Sequence, residues 1–305
     1  MTCGQRMRSE FRLKSFGLTH NDRQVFSRTP WLDKNNLLPF VLYRAAVCLY
    51  QVITFSIIHG ALGDFPLKGL VYLTEWGYIL LTLHTILSVS LCFADYYKSR
   101  FQRGATSNDN MASDIAMATG STITLTTTGY GTAQTSVGQD SGQTLPLPWY
   151  YKLYWVLYNV SFAGGICITI LFWVLLRGDY SALSIITHAI NSVTIVIDVM
   201  VSGLPCRLLH FVYPLTFGLV YILFTVIYWA AGGRGLYDYP FIYPYLDYGG
   251  RPVLAAIVAV LGVLVAVPLC HCVVFALVVA RESLVRLLKR RRQSPNSQND
   301  NVTAL

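Results

Sequence analysis

Charged side chains are scarce in this 305-residue sequence. Asp, Glu, Lys and Arg make up only 12% of the residues, whereas 54% are hydrophobic and the mean hydropathy is +0.47. An ordinary soluble domain carries about a quarter charged residues. The composition therefore excludes a typical water-soluble domain, because the apolar surface exceeds what one such core would bury, and a lipid bilayer is the expected environment.

The sequence also lacks the patterns of secreted and metal-binding proteins. Residues 1–38 contain no apolar run long enough for a cleavable signal sequence, so the first span is expected to act as its own signal. No three His or acidic residues share a common depth, and we predict neither a metal nor another cofactor. The seven cysteines fall in predicted spans or on the predicted cytoplasmic side, which predicts no disulfide.

Six apolar runs approach the roughly 20 residues that a helix needs to cross the hydrocarbon of a bilayer. Together they predict an all-α integral membrane protein, a six-transmembrane-helix bundle within residues 39–281. The predicted spans are residues 39–62, 68–93, 150–176, 182–202, 208–231 and 252–280.

Basic residues are distributed unevenly between the predicted loops. If the N-terminus is cytoplasmic, 18 Lys and Arg residues lie on the inner side and four on the outer side. Because cytoplasmic loops are enriched in Lys and Arg, both termini are predicted to be cytoplasmic, in the plasma membrane or the endoplasmic reticulum. The same distribution accounts for the net charge of +8 without a nucleic-acid partner.

Three segments outside the spans are expected to be cytoplasmic. Residues 1–38 are basic and have the composition of a segment at the membrane interface. Residues 101–146 are rich in Ser, Thr, Gly, Asn and Gln and are predicted to form a disordered loop. Residues 282–305 are predicted to form a tail that is first basic and then disordered. Its last residues, Thr303-Ala304-Leu305, fit a PDZ-type groove that captures a C-terminal carboxylate.

Arg44 and Asp198 are charged residues within the predicted spans, where an ionisable side chain needs a partner or a function. Arg44 is about five residues from the cytoplasmic start of the first span, and Asp198 is about five residues from the cytoplasmic end of the fourth. We therefore predict that they lie at a similar depth and pair. A structural pair is favoured over a transport path, because the sequence contains no inverted repeat and no broken helix pair.

Polar side chains in the second and fourth spans form a candidate site. Thr74 and His188 each lie about six residues below the outer boundary, a depth of roughly 9 Å at 1.5 Å per residue. A hydroxyl facing an imidazole in a dry site is the minimum for a nucleophile with its general base. Interhelical hydrogen bonding is the alternative role for this pair.

Other polar residues could support this pair. Glu75 lies at the right depth to orient the imidazole, although its side chain points about 100° away from that of Thr74. A 3.6-residue period places four polar residues of the fourth span on one face. They are Ser184, His188, Asn191 and Asp198.

The second half of the chain resembles a known family. The blocks that carry this resemblance lie between His188 and Trp229, with Leu204-Pro205-Cys206-Arg207 among them, and at Ile242-Tyr243-Pro244-Tyr245-Leu246-Asp247. They strongly resemble the rolling stone family of invertebrate multi-pass membrane proteins. The resemblance covers nearly all of the chain except residues 101–146 and the tail. The resemblance implies a link to myoblast fusion but does not indicate which reaction, if any, the protein catalyses.

A second, more distant resemblance implies a chemistry. Three blocks look like the androgen-regulated six-span hydrolases of fatty acid esters of hydroxy fatty acids: Tyr72-Leu73-Thr74, His188 with Asp198 ten residues later, and Tyr243-Pro244-x-Leu246-Asp247. In that family an intramembrane Thr is the nucleophile and a His is its partner, which implies these roles for Thr74 and His188. The sequence thus leaves two functions open: a threonine hydrolase of lipid esters, and a non-enzymatic membrane organiser in cell-cell fusion or adhesion.

Overall fold

In a computed structural model, the described part of the protein contains six helices that are long and apolar enough to cross a membrane. The structure describes residues 10–33, 36–61, 66–119, 146–175, 181–235 and 238–293. The predicted all-helical, multi-pass membrane architecture is confirmed. Which end of the bundle faces the cytoplasm stays a prediction.

The six helices follow one another along the chain with short connecting elements, such as the helical turn Pro66–Gly69 before the second helix. We number them α1 Leu38–Ala61, α2 Leu73–Thr119, α3 Trp149–Leu175, α4 Ala182–Val201, α5 Leu208–Ala230 and α6 Pro252–Arg292.

Two helices extend well beyond their predicted spans. Residues 101–119, predicted to belong to a disordered loop, continue α2 to Thr119. Continuing an existing helix adds one hydrogen bond per residue without a new nucleation step, and residues 105–118 include four Ala and two Met, which favour helix. The basic start of the predicted tail likewise continues α6. The rest of the loop and the tail, including the C-terminal motif, lie outside the described residues.

The bundle has two distinguishable ends. We call the end where α1 begins and α6 ends the termini-side end, and the opposite end the far end. Residues 10–33, the N-terminal segment, pack on the termini-side end. Phe26 is 1% exposed and meets the Trp155 ring edge-on at 5.3 Å, and Trp31 Nε1 donates to the Met200 carbonyl at 2.6 Å. A segment predicted for the membrane interface therefore packs on the protein, because its aromatic residues enter the helix core.

Arg281 connects the last part of α6 to the end of α4. Its side chain is 2% exposed, and its guanidinium donates to the backbone carbonyls of Val199, Ser202 and Leu204. The last carbonyls of a helix have no partner within that helix. Arg281 therefore satisfies the end of α4 and the loop that follows it.

A buried ion pair joins α1 to α4. Arg44 Nη1 donates to Asp198 Oδ1 at 2.5 Å, and the two side chains are 2% and 4% exposed. The Tyr43 hydroxyl donates to the same carboxylate oxygen at 3.1 Å, and the guanidinium carbon lies 5.0 Å from the centre of the Phe40 ring. The carboxylate thus has two donors, and the guanidinium has an aromatic face beside it.

Asp198→Asn should destabilise the bundle by about 3–5 kcal/mol, because removing one partner of a buried ion pair leaves an uncompensated charge. The double variant Arg44→Met with Asp198→Leu should recover most of this loss, since both charges are then absent. Thermal unfolding of the purified protein in detergent measures both effects. A double variant no more stable than Asp198→Asn would contradict the assignment.

His20 lies at the contact between the N-terminal segment and the bundle. Its ring meets Phe26 and Trp155 edge-on at 5.7 and 6.1 Å, and Nδ1 lies 2.7 Å from the Asp22 carbonyl oxygen. Burial lowers the pKa of His20 below its ordinary 6.5; the Asp22 carbonyl opposes this shift, and the nearby charge of Arg207 adds to it. The packed form is therefore the neutral imidazole.

The contact at His20 should weaken in acid. Because the folded pKa lies below the unfolded value, its stabilisation is fully present above about pH 6.5 and declines as the pH falls below that value. We expect hydrogen-exchange protection factors of residues 10–33 to fall between about pH 7.5 and 5.5, and His20→Asn to remove most of this change. The same pH dependence in His20→Asn would contradict the role given to the imidazole.

Candidate functional site

An apolar cavity lies at the far end, between α2, α3, α5 and α6. Its volume is about 130 Å³, several times the space that one water molecule needs. Aliphatic and aromatic side chains form most of its wall. Four of the residues that line the cavity bear hydroxyl groups: Thr74, Tyr221, Tyr243 and Tyr245.

Three of these hydroxyls gather where α2 begins. The backbone N–H of Leu73 donates to the Tyr243 hydroxyl at 3.0 Å, and the Tyr221 hydroxyl donates to the Val71 carbonyl at 2.8 Å. Thr74 and Tyr221 are both neighbours of the Tyr243 hydroxyl. Burial raises the pKa of Tyr243 to about 12, so the phenol keeps its proton at neutral pH. A protonated hydroxyl therefore lies beside Thr74.

Thr74 is half-buried in the first turn of α2 and faces the cavity. The first turn of a helix has backbone N–H groups without intrahelical partners and carries the positive end of the helix dipole. This location favours a developing negative charge over a positive one. Sequence depth alone placed Thr74 near the outer boundary, but the convergence of the loop tyrosine Tyr243 on it was not predicted.

His188 lies in a π-helical turn of α4, Ile185–Ile190. Its side chain is 4% exposed, and its ring stacks on Phe172 with the ring centres 3.7 Å apart. Within the described residues, Nδ1 has no hydrogen-bond partner. The His188 carbonyl accepts a hydrogen bond from Thr169 Oγ1 at 3.0 Å. Single π-helical turns occur frequently at functional sites, and the sequence pattern did not reveal this one.

Phe172 connects Thr74 with His188. Its ring lines the cavity that Thr74 also lines, and it stacks on the imidazole. One turn deeper, the Tyr78 hydroxyl is close to the Asn191 amide. Since Thr74 precedes Tyr78 by four residues and His188 precedes Asn191 by three, this contact puts Thr74 and His188 at a similar depth. In the described part of the chain, no hydrogen bond links the two side chains.

The three residues predicted to support the pair have different surroundings. Asn191 is buried and donates to the Thr187 carbonyl at 2.9 Å. Ser184 Oγ accepts from Ser181 Oγ at 3.0 Å, at the start of α4. Glu75 is half-buried in the first turn of α2. Asn191 thus lies at the contact between α2 and α4.

The chain matches the family model described as Protein rolling stone over residues 105–293, more than half of its length. It belongs to the rolling stone family. Protein rolling stone of Drosophila melanogaster is 27% identical over 248 residues, which cover 78% of this chain and 77% of that protein. No solved structure matches the chain.

Membership of the rolling stone family confirms the stronger of the two resemblances, whereas the more distant one, to the lipid hydrolases, stays a prediction. The matched region of the family model includes His188 and Asp198 and begins after Thr74. His188, the predicted base, therefore lies within the matched region, and Thr74, the predicted nucleophile, lies before it.

Gly164 of α3 offers a direct probe of the cavity. It lines the cavity, and a Cβ atom at this position would meet no atom within 4 Å. Gly164→Leu should therefore fill the cavity without displacing a helix and weaken binding of a fluorescent fatty acid by about tenfold or more, because the ligand loses its space. Fluorescence titration in detergent measures this binding.

The matched control for this experiment is Ile170→Leu, which also places a leucine on α3, at a position that is 49% exposed on the outer surface. Its affinity for the fatty acid should equal that of the unmodified protein. If Gly164→Leu unfolds at the same temperature as the control and binds the probe equally well, the cavity is not the binding site.

Proposed function

We propose that this rolling stone family protein is an intramembrane hydrolase of lipid esters, with Thr74 as the nucleophile and His188 as the general base. The observation that carries the proposal is the far-end cavity, whose lining is mostly apolar and includes the hydroxyl-bearing residues Thr74, Tyr221 and Tyr243 near the start of α2. Ligand sites commonly combine an apolar wall with a few converging polar groups. Such a cavity suits an acyl chain with its ester carbonyl at Thr74.

The chemistry assigns one task to each side chain. Thr74 Oγ1 attacks the ester carbonyl while His188 takes its proton, and the alcohol leaves with a proton returned by His188. Water then attacks the acyl-threonine and restores Thr74. The Tyr243 hydroxyl, which keeps its proton, donates to the negative oxygen that develops on the carbonyl carbon.

One movement precedes this reaction. The Phe172 ring covers a face of the imidazole, so the ring turns aside when His188 reaches Thr74. Side-chain and loop motions that complete a site on substrate binding are common in enzymes. The buried Nδ1 of His188, which has no hydrogen-bond partner in the described residues, supports a role as base because it has no structural bond to break.

A fluorophosphonate with a long alkyl chain tests the mechanism. It should label the purified protein, and Thr74→Ala should reduce labelling about 100-fold or more, because the nucleophilic hydroxyl is absent. Thr225→Ala is the matched control: Thr225 is a far-end threonine, 1% exposed and bonded to Tyr248, outside the cavity wall. Labelling that persists unchanged in Thr74→Ala would refute the mechanism.

A non-enzymatic organiser of cell-cell fusion or adhesion is the second candidate. The observation that favours it is the Phe172 ring on His188, together with the lack of a hydrogen bond between Thr74 and His188 in the described residues. In that case the contact of Tyr78 with Asn191, rather than one between Thr74 and His188, would hold α2 against α4. Thr74→Ala and His188→Ala proteins that restore fusion fully, while deletion of the C-terminal PDZ-type motif abolishes it, would favour this function.

A further inference from the structure

Polar side chains form a column between α1, α2 and α4, in the part of the bundle that the hydrolase mechanism does not use. At 1.5 Å per residue, the ten-residue separations Arg44 to Thr54 and His188 to Asp198 each cover about 15 Å. The polar column consists of Arg44, Gln51 and Thr54 of α1, Tyr78 and His84 of α2, and Asn191 and Asp198 of α4.

The far part of the column has direct contacts as far as Asn191, three residues after His188. The hydroxyls of Thr54 and Tyr78 are 2.6 Å apart, and either can be the donor. The Tyr78 hydroxyl is also close to the Asn191 amide. Because Asn191 lies three residues after His188, the imidazole is the next polar group along α4.

The other part of the column leads to the termini-side surface. Arg44 is a neighbour of the Cys92 thiol, which donates to the Ser27 carbonyl at 3.4 Å. The Ser27 hydroxyl donates to Asp95 Oδ2 at 3.1 Å, and the Asp95 side chain is 18% exposed. Polar groups therefore follow one another from the protein surface to the buried ion pair of Arg44 and Asp198.

Between these two parts lie buried polar groups that have no hydrogen-bond partner among the described residues. Gln51 is 0% exposed and neither atom of its amide is bonded. His84 is 1% exposed, neither ring nitrogen is bonded, and the charges of Asp198 and Arg44 both act on it. Asp198 Oδ2 and Arg44 Nη2 are also buried and have no hydrogen-bond partner among the described residues. Buried polar groups in folded proteins are almost always satisfied, by protein or by ordered water.

We propose that ordered water occupies the polar column at Gln51 and His84 and connects His188 with the termini-side surface. The unpaired atoms are amide, imidazole, carboxylate and guanidinium groups, which offer both donors and acceptors to a water molecule. The His84 ring packs against the rings of Tyr154 and Phe162 of α3, with the ring centres 4.9 Å apart in both pairs, and its two nitrogens still have no hydrogen-bond partner among the described residues. Water thus completes a hydrogen-bonded path through the bundle.

The role of the path rests on the proposed function. Hydrolysis of each ester consumes one water molecule and yields an alcohol and a carboxylic acid, whose ionisation releases one proton. Neither water nor a proton crosses the apolar wall of the far-end cavity readily. The polar column brings water to the acyl-threonine. It also carries the proton that the carboxylic acid passes to His188 on ionising, from His188 towards Asp198 and the termini-side surface.

Hydroxyl-radical footprinting of the full-length protein in nanodiscs tests for the water. Radicals formed by synchrotron radiolysis oxidise side chains next to bound water even when bulk solvent does not reach them. His84 and Tyr78 should be oxidised about fivefold faster, relative to intrinsic reactivity, than Trp155, which is 0% exposed and bonded to a backbone carbonyl. Rates at His84 and Tyr78 no higher than at Trp155 would overturn the proposal.

Two variants locate the water within the bundle. Gln51→Leu replaces an amide that needs water with an apolar side chain and should lower the His84 rate about fivefold, to the level of Trp155. Ser161→Ala removes a buried hydroxyl of α3 that already donates to the Leu157 carbonyl, and it should leave the His84 rate unchanged. If Gln51→Leu does not fold, the rates in the unmodified protein decide the question.

A kinetic measurement separates the column from the hydrolase mechanism. In a protein that forms an acyl-threonine, Gln51→Leu should slow deacylation about tenfold but leave acylation unchanged, whereas Ser161→Ala should change neither rate. Equal deacylation rates in the two variants would overturn the role in hydrolysis. If Thr74 never reacts, the proposed function fails, and the footprinting still decides whether water is present.

Discussion

A polar group in the hydrocarbon of a bilayer has no surrounding water, so it must be satisfied within the protein or by molecules that the protein admits. This constraint explains the main features of the termini-side half. The Arg281 guanidinium binds the carbonyls where α4 ends, and Arg44 pairs with Asp198. Where protein partners are lacking, at Gln51 and His84, the same constraint leads to the inference of ordered water. In the far half, the hydroxyl groups of Tyr221 and Tyr243 meet the backbone at the start of α2, beside the apolar cavity.

The site was partly predictable, because a helix has a constant rise and apolar runs indicate where the spans begin. Counting depth put Arg44 level with Asp198, and in the structure they are in contact. The same count put Thr74 level with His188, and the contact between α2 and α4 one turn deeper is consistent with it. The π-helical turn and the Phe172 ring on the imidazole depend on packing between α3 and α4. No periodicity in the sequence encodes that packing.

The six spans were predictable from composition, whereas the segments outside them were less so. Phe26 looks in the sequence like any aromatic residue of a basic interfacial segment, and its place in the core depends on Trp155, which lies far along the chain. Composition favoured disorder beyond residue 100. Because α2 is already a helix there, extending it needs no new nucleation step, and the helix continues to Thr119. Local composition therefore fails where a neighbouring helix or a distant side chain determines the structure.

The central claim is that Thr74, the far-end cavity and His188 form one reaction site. A cryo-electron microscopy structure of the protein in nanodiscs with a long-chain alkyl fluorophosphonate tests this most directly. The account predicts density that is continuous from Thr74 Oγ1 to phosphorus, an alkyl chain within the cavity, and a Phe172 ring turned away from His188. An adduct on another residue, or an alkyl chain outside the cavity with Phe172 still stacked on the imidazole, would contradict it.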